Sequence, residues 1–236
     1  MKGISEKTLI KIKDLKASVK LNNGDMLTTV TNANMELQRG RSYAIVGKSG
    51  SGKTSLISII GLLNREYEGE YLYDGISISA LKDRDLSILR ANNIGFVFQN
   101  YSLIKHLRVW ENIELPLLYA KKSFTAKQRH EIITGLLKSV GLESKENDYP
   151  INLSGGEQQR VAIARALITH PSVIFADEPT GNLDAASAET VAQMLTLAAS
   201  KYQQTIVMVT HDRQMAEYAD RILTITDGNV TGGVGV

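Results

Sequence analysis

The chain has 236 residues, a formal net charge of +2 and no cysteine. A chain of this length can form one large domain with an ample core, and its near-neutral charge neither favours nor excludes a nucleic-acid partner. The lack of cysteine excludes disulfides and thiol catalysis and favours a reducing compartment. Residues 1–6 lack the apolar core of a signal peptide, and no apolar stretch approaches the ~20 residues that cross a bilayer. The sequence therefore predicts a soluble protein that would reach a membrane only by docking to another subunit.

Both ends of the chain carry patterns of antiparallel β-structure. Polar and apolar residues alternate over 9–13 and again over 34–38, and the Asn-Asn-Gly of a turn lies at 22–24 between them. Near the C-terminus, 221–230 predicts a hairpin with an Asp-Gly turn at 227–228. These patterns differ from the longer apolar runs in the rest of the chain.

Residues 47–54 match the pattern G-x-x-x-x-G-K-[S/T] of a phosphate-binding loop. The apolar run 43–46 predicts a strand before the loop, and apolar residues at helical spacing follow it, so the loop would open onto a helix N-terminus that favours anions. The glycines let backbone N–H groups approach phosphates closely. Lys53 is suited to the β- and γ-phosphates, and the Thr54 hydroxyl to Mg²⁺. The predicted contacts of the loop are Gly47, Lys48, Ser49, Gly50, Ser51, Gly52, Lys53, Thr54 and Ser55.

Three further apolar runs, 94–98, 173–176 and 205–210, have the composition of parallel strands buried on both faces. Ligands of open α/β sheets bind at the carboxyl ends of the strands, so we expect the polar residues that follow these runs to meet at the nucleotide. Asp177 is placed to hold Mg²⁺ through water beside Thr54. Away from a phosphate-binding loop, an acidic pair would more simply cap a turn and a single histidine would be structural. The polar residues in question are Gln99, Asp177, Glu178 and His211.

The middle of the chain, from about 121 to 152, carries no strand-like run. Thr125 and Gln128 form a capping-box signature, and apolar residues at helical spacing follow until Gly141. A Ser-Gly-Gly run at 154–156 precedes another apolar-periodic helix, and such a helix N-terminus is an anion site. The predicted fold class is α/β, with a P-loop nucleotide-binding core around a mainly parallel sheet, an N-terminal antiparallel β subdomain and an inserted helical subdomain.

Five motifs together resemble the ATP-binding cassette (ABC) family. Residues 153–159 resemble the ABC signature and 173–178 the Walker B strand, while Gln99, 183–184 and His211 resemble the Q-loop glutamine, the D-loop and the switch histidine. The resemblance implies an ATPase that binds ATP and Mg²⁺.

The same resemblance implies a domain organisation. The whole chain, 1–236, would be a single ABC ATPase domain. Its nucleotide-binding core with the β subdomain would occupy about 9–98 and 160–230, and its helical subdomain with the signature about 99–159.

The resemblance also implies a role for each site residue. Glu178 would act as the general base or position the attacking water, and His211 would contact the γ-phosphate and hold Glu178 in place. The implied catalytic residues are Glu178, His211, Gln99 and Lys53. The implied metal ligands are Thr54, Gln99 and Asp177.

In this family the signature lies too far from the P-loop of its own chain to share one phosphate group. The resemblance therefore implies a head-to-tail dimer, in which each signature covers the γ-phosphate held by the other subunit. The partner would be a second copy, giving a homodimer, or a different cassette, giving a heterodimer. The residues that would meet the nucleotide at that interface are Ser154, Gly155, Gly156, Glu157 and Asp184.

Residues 94–99, 111–117 and 176–184 are similar to the LolD/MacB group, whose cassettes work with membrane subunits that extrude or mechanically move substrates. This similarity implies an integral membrane permease as partner, no nucleic-acid partner, and a cytoplasmic location that is peripheral on the inner face of the cell membrane. Two alternatives remain. An FtsE-like cassette signals without transport, and a soluble ABC ATPase acts on nucleic acid or ribosomes, although such relatives usually carry two cassettes or a long coiled-coil insert.

The segment 101–119 is rich in large apolar residues, which would pack in the core or form a groove for a short helix of a membrane subunit. We predict that Trp110 and its neighbours face a partner. The apolar residues of the segment that carry this prediction are Leu103, Leu107, Val109, Trp110 and Leu117.

One position departs from the family pattern. ABC cassettes usually stack the adenine on an aromatic residue upstream of the P-loop, and that site falls at Val19 here. The only aromatic residue before Gly47 is Tyr43, which lies in the strand that feeds the loop. We therefore predict that Val19 contacts the base, with modest ATP affinity and poor discrimination between ATP and GTP.

Overall fold

The computed structural model describes residues 7–20 and 24–231. The first two residues of the turn predicted at 22–24 lie outside the described residues. The strands are β1 (Thr8–Lys20), β2 (Met26–Gln38), β3 (Ser42–Val46), β4 (Glu68–Tyr73), β5 (Ile76–Ser77), β6 (Ile94–Phe98), β7 (Val173–Asp177), β8 (Thr205–Thr210), β9 (Arg221–Thr226) and β10 (Asn229–Thr231). The helices are α1 (Lys53–Ile60), α2 (Asp83–Asn93), α3 (Val109–Tyr119), α4 (Ala126–Ser139), α5 (Gly155–Leu167), α6 (Ala185–Tyr202) and α7 (Arg213–Ala216).

The strands join in one mixed sheet with the order β5-β4-β1-β2-β10-β9-β3-β8-β7-β6. The strands from β9 to β6 in this order are parallel, whereas β1 pairs antiparallel with both β2 and β4. The C-terminal hairpin turns at Asp227 and Gly228, both with positive φ, and β10 joins the two regions by pairing with β2. The predicted α/β fold class, with its parallel core and antiparallel N-terminal region, is confirmed.

Three elements between the P-loop helix and β6 have no counterpart in the sequence-based prediction. They are β4, β5 and α2. In β4, Tyr71 and Tyr73 are buried, but the strand begins with charged residues whose partners lie on β1, with Glu70 opposite Lys13. In α2 only Leu86 is fully buried. Both elements therefore depend on contacts with distant strands and carry a weak local pattern.

The buried apolar side chains form three clusters. The first packs α1 and α2 between the parallel strands and the antiparallel β1–β2–β4 region. The second packs α6 and one side of α5 on the opposite face of the parallel strands. The third lies inside the helical region and joins α3, α4 and the other side of α5. Helix α5 therefore contributes to both the second and the third clusters.

The prediction that Trp110 and its neighbours face a partner is wrong for part of the segment. Val109 and Leu117 are 0% and 5% exposed and belong to the third cluster, and the half-buried Trp110 packs against the same cluster. The exposed large apolar residues of the segment are instead Ile104, before α3, and Leu118 and Tyr119, at the end of α3. The helical period explains the difference, since residues 109, 113 and 117 share the buried face of α3.

Candidate nucleotide-binding site

The P-loop connects β3 to α1, and its glycines permit a backbone that other residues would not adopt. Gly50 and Gly52 have φ values of 78° and 98°, in the left-handed region. At Gly52 a Cβ atom would lie 1.9 Å from the carbonyl oxygen of Thr29 on β2. No side chain fits there, so the loop packs directly against the β2 backbone.

Lys53 is held inside this loop. Its side chain is largely buried, and its ammonium group donates hydrogen bonds to the carbonyl oxygens of Gly47 at 2.9 Å and Lys48 at 2.8 Å. Lys53 is also the first residue of α1, so its charge adds to the positive end of the helix dipole. The loop therefore presents a fixed positive charge at a helix N-terminus, where anions are favoured.

Next to the loop lies an open cavity of about 600 Å³. This volume is within the ~300–1,000 Å³ of typical small-molecule sites. Strands β3, β8, β7 and β6 are neighbours, so the residues after β6, β7 and β8 reach this cavity together. The lining residues are Leu27, Thr29, Ser49, Gly50, Gly52, Lys53, Thr54, Ser55, Gln99, Glu178 and His211.

Asp177 ends β7 beside Thr54. Burial raises the pKa of its carboxyl group, and the charge of Glu178 raises it further, while a hydrogen bond from Thr54 and the charge of Lys53 lower it. One of its oxygens, Oδ1, is buried without a hydrogen-bond partner. A buried carboxylate oxygen without a partner next to a hydroxyl suits a divalent cation, since Mg²⁺ is usually held by one or two carboxylates together with phosphate oxygens and water.

No group of three or more His, Cys, Asp or Glu side chains that could hold a metal ion occurs in the part of the chain that the structure describes. Thr54, Gln99 and Asp177 would supply only part of the six oxygen ligands that Mg²⁺ takes, and the oxygens of a bound phosphate and of water would supply the others. This dependence fits a metal that enters with a nucleotide.

Glu178 and His211 are in direct contact. The His211 Nδ1 lies 2.8 Å from the Glu178 Oε2, and Glu178 has a φ of 46°. Its backbone N–H donates to the carbonyl oxygen of Val209 on β8 at 2.9 Å, which fixes this left-handed turn against the neighbouring strand. The contact with His211 orients the carboxylate, and both residues line the cavity next to Lys53.

Gln99 also lines the cavity, and its position is set by contacts with Gly181 and Asn182, which directly precede the D-loop. The Asn182 side chain donates to the Gln99 carbonyl oxygen at 3.0 Å, and the Gln99 side chain lies 3.4 Å from the Asn182 Oδ1. An added Cβ at Gly181 would lie 2.8 Å from the Gln99 Nε2. Gln99 is therefore packed against residues 181–182.

The signature residues lie elsewhere. Ser154 caps α5: its hydroxyl accepts from the Glu157 N–H at 3.3 Å, and the Glu157 carboxylate accepts from the Ser154 N–H at 2.8 Å. That hydrogen bond lowers the pKa of Glu157. Among the described residues that line the cavity, none belongs to the 154–157 segment. The signature segment therefore contributes no described residue to the lining of its own chain's P-loop cavity.

Asp184 caps α6 in a similar way. Its carboxylate accepts from the backbone N–H of Ser187 at 3.0 Å and from the Ser187 hydroxyl at 2.8 Å, and these bonds lower the pKa of Asp184. The Ser187 hydroxyl in turn lies 2.6 Å from where a Cβ on Gly156 would be. The start of α6 is therefore packed against the signature.

Val19 is paired with Leu27 across β1 and β2. Leu27 lines the cavity and is 50% exposed, whereas Val19 is not among the described lining residues. Directly paired residues of antiparallel strands share a face, so Val19 points to the same side as Leu27. The sequence reasoning missed Leu27 and Thr29. The two-residue period of β2, which places residues 27 and 29 on one face, is the signal that could have found them.

The family model described as "ABC transporter" matches residues 30–181, more than half of the chain. The chain belongs to the ABC transporter family. It is 39% identical over 224 residues to the uncharacterized ABC transporter ATP-binding protein MJ0796 of Methanocaldococcus jannaschii, an alignment that covers 94% of this chain and 95% of that protein. The structure superposes on a solved dimeric, post-hydrolysis state of MJ0796 bound to ADP and Pi with a TM-score of 0.87 and 36% identity, covering 97% of this chain and all of the other.

The chain is also similar to ABC proteins named for export. It is 43% identical over 215 residues to the macrolide export ATP-binding/permease protein MacB of Pasteurella multocida, covering 91% of this chain and 33% of the relative. The chain thus spans about a third of the length of the MacB relatives it matches. It is an ATPase cassette of the ABC family, and this family membership supports the binding of ATP. Among the described residues no helix is long and apolar enough to cross a bilayer.

Proposed function

We propose that the chain is a single cassette domain that hydrolyses ATP with Mg²⁺ to drive a membrane permease of the LolD/MacB type. The observation that carries the hydrolytic part is the Glu178–His211 contact of 2.8 Å at a cavity that also holds Lys53. The observation that favours a second cassette over an enzyme that works as a single chain is that no described residue of the 154–157 segment lines this cavity.

Hydrolysis requires positioning and charge stabilisation more than covalent chemistry. Glu178 is oriented by His211 and is the group that would hold the attacking water and take its proton. Lys53 and the N-terminus of α1 would stabilise the negative charge that develops on the γ-phosphate. Mg²⁺, when bound beside Thr54, Asp177 and Gln99, would neutralise phosphate charge. His211 is exposed and lines the same cavity as Lys53, where it would contact the γ-phosphate.

A second cassette would complete the site. Ser154 and the N-terminus of α5 form an anion site that their own chain does not use, and a head-to-tail partner would bring its copy to the γ-phosphate held by Lys53. The solved structure of MJ0796, at 36% identity, is dimeric, which supports a dimer for this chain as well. The second cassette would be another copy of this chain or a different chain, and Ser154, Gly155, Gly156, Glu157 and Asp184 would lie at the interface.

An apolar groove of about 590 Å³ between α2, β6 and α3 is the proposed contact with the permease. Leu63, Ile88 and Tyr119 line it and are 48%, 41% and 76% exposed. A short amphipathic helix that buries its apolar face is the partner such a groove accepts. The names of the MacB relatives combine ATP-binding and permease functions in one protein, which supports a permease partner for this shorter chain. The cassette would then lie on the cytoplasmic face of the membrane, without a nucleic-acid partner.

Glu178→Gln tests the hydrolytic proposal. The amide keeps the size of the side chain but cannot take a proton, so the variant should bind ATP, lose nearly all turnover and accumulate as an ATP-bound dimer on size-exclusion chromatography. Glu217→Gln, at an exposed position after α7, is the matched control and should behave as the parent. Turnover at the parent rate by Glu178→Gln would contradict the assignment.

Membrane fractionation tests the partner. Tyr119→Asp places a charge in the groove and should release the tagged cassette from the membrane fraction of its host, while the ATPase activity of the purified variant is unchanged. Leu197→Asp, at an exposed position on α6, is the control. Equal membrane association of both variants would exclude this groove as the contact.

A further inference from the structure

The P-loop packs against two distant segments of backbone, and a glycine occurs at each point of closest approach. At the start of the loop, a Cβ atom on Gly47 would lie 2.4 Å from the carbonyl oxygen of Ile225, near the end of β9. At its end, Gly52 approaches the carbonyl oxygen of Thr29 on β2 too closely for any side chain. The β9–β10 hairpin and β2 therefore contact the loop, although neither belongs to the phosphate-binding pattern.

The turn of this hairpin connects the loop to β2. The Gly228 N–H donates to the Ser51 carbonyl oxygen in the loop at 3.2 Å, and the Gly228 carbonyl oxygen accepts from the Thr31 N–H on β2 at 2.9 Å. The Thr31 hydroxyl also donates to the Asp227 carbonyl oxygen at 3.1 Å. A single residue of the C-terminal hairpin is thus bonded both to the P-loop and to the strand that packs on it.

Gly228 has no room for a side chain. Its φ is 77°, and a Cβ atom would lie 2.7 Å from the Thr31 nitrogen and 3.2 Å from the Thr29 carbonyl oxygen. Both are backbone atoms, so an added methyl group would push the turn and β2 apart instead of displacing a flexible side chain. Because β2 lies against Gly52 and the turn is bonded to Ser51, the loop would lose part of its support.

We propose that Gly228 is a positioning residue that holds the P-loop in the conformation that receives phosphate. P-loops bind phosphates through backbone N–H groups, whose directions depend on the conformation of the loop. When only a fraction of the molecules has the binding conformation, the apparent dissociation constant rises as that fraction falls. Gly228 is not among the described residues that line the cavity, so it would act on affinity through the loop. The proposal rests on nucleotide binding and does not depend on hydrolysis or on the dimer.

The chain contains a matched control for this glycine. The β4–β5 hairpin turns at Asp74 and Gly75, with φ values of 49° and 79°, compared with 47° and 77° at Asp227 and Gly228. Both are two-residue Asp-Gly turns with the same left-handed backbone. A Cβ atom on Gly75, however, would meet no atom of the described residues within 4 Å. Alanine therefore has the same conformational cost in both turns and meets β2 in only one of them.

The test compares Gly228→Ala with Gly75→Ala in the full chain by titration with ATP and with ADP, by steady-state kinetics and by thermal melting. Both substitutions should lower the melting temperature, because both place alanine at a positive φ. Gly228→Ala should also raise the Kd for both nucleotides about tenfold, as expected if about a tenth of the molecules keep the binding conformation. The KM for ATP should rise with it, while kcat at saturating ATP stays near the parent value. Gly75→Ala should keep the Kd of the parent.

Thr31 offers a milder pair of variants. Thr31→Val removes the hydroxyl that donates to Asp227 and keeps the shape of the side chain, so the Kd should rise about threefold, the equivalent of one partly exposed hydrogen bond. Thr31→Ser keeps the hydroxyl and should bind as the parent does.

Equal Kd values for Gly228→Ala and Gly75→Ala would overturn the proposal, and so would a loss of kcat with an unchanged KM. If Gly228→Ala does not fold, the Thr31 pair decides, and equal affinities of Thr31→Val and Thr31→Ser would overturn it. A parent chain that binds neither nucleotide would contradict the nucleotide site itself, which separates the two failures.

Discussion

The phosphate end and the base end of the nucleotide cavity are built in different ways. At the phosphate end, Lys53 is fixed by two carbonyl oxygens, Glu178 by His211, and Gln99 by Asn182. At the end where we predict the base, β2 contributes the aliphatic Leu27, whose side chain offers no hydrogen bond to a purine edge. Thr29 packs at Gly52, so Leu27 lies ~7 Å further along the strand.

We therefore expect the phosphate end to determine the affinity for nucleotides and the base end to determine the preference among them. The phosphate end supplies charge and fixed hydrogen-bond donors, which any nucleoside triphosphate would meet equally well. The predicted base end would supply an aliphatic surface, and we expect such a surface to distinguish bases poorly. A substitution at the first end should therefore abolish binding or turnover for every nucleotide, whereas one at the second should alter the preference among nucleotides.

The largest effect is expected from Lys53→Ala. Removal of the buried ammonium leaves the Gly47 and Lys48 carbonyl oxygens without a donor and takes away the cation that the phosphates would meet. We expect the loss of measurable nucleotide binding in an isothermal titration with ATP and with GTP alike. Lys127→Ala, at an exposed position on α4, should bind as the parent. If Lys53→Ala kept the parent's affinity for ATP, the binding energy would come mainly from the base end, contrary to the comparison above.

Asp177→Asn, also at the phosphate end, should raise the stability of the fold while it lowers the ATPase activity. Because burial raises the pKa of this carboxyl group, its ionised form destabilises the folded chain, and this cost appears as pH rises through the folded-state pKa. The neutral amide should thus raise the free energy of unfolding of the metal-free chain at pH 7 by ~0.5–2 kcal/mol, the usual gain from a stabilising substitution, and raise its melting temperature accordingly. Differential scanning with and without Mg²⁺ and ATP checks this.

The control for Asp177→Asn is to repeat the melting measurements of the parent and the variant at low pH. Below the unfolded-state pKa both variants carry a neutral group, so the difference in melting temperature between them should vanish there. Mg²⁺-dependent turnover should be nearly lost at neutral pH. A variant that is less stable than the parent at pH 7 would show that Asp177 stabilises the fold and is not a strained metal ligand.

Ser154→Arg tests the proposal that a second cassette completes the phosphate end of the cavity. The larger, positively charged arginine side chain removes the cap of α5 and would block close approach of a second cassette, while the cavity of its own chain stays intact. We expect ATP binding close to the parent value but no ATP-dependent dimer on size-exclusion chromatography, and little turnover. Ser139→Arg, at an exposed position near the end of α4, controls for the added charge. An ATP-dependent dimer of Ser154→Arg would contradict the trans arrangement.

The same two ends explain how much could be predicted from the sequence. The phosphate end follows from local patterns, since each site residue comes directly after an apolar strand or lies within one loop. The positions of Leu27 and of Gly156 against Ser187 depend on pairing and packing between distant segments, which no single window of sequence contains. The prediction that residues 101–119 face a partner was partly wrong for a related reason. The number of apolar residues in a segment does not distinguish the buried face of α3 from its exposed end.

The smallest effect, and the sharpest test of the base end, is expected from Val19→Tyr. Val19 is paired with Leu27, so an aromatic ring at this position would extend over the same face that lines the cavity. Base–aromatic stacking is worth ~1–3 kcal/mol, which corresponds to a roughly ten- to hundredfold gain in affinity, less the packing that Val19 already provides.

Titrations of the parent and of Val19→Tyr with ATP and GTP decide the point. The parent should show a modest affinity and little preference for ATP over GTP, and the variant should bind ATP more tightly. Val19→Ile adds bulk without a ring and should change little, which separates stacking from simple contact. A strong preference for ATP in the parent, with no gain from Val19→Tyr, would mean that a polar group outside the Val19–Leu27 face recognises the base, and the aliphatic description of this end would then be wrong.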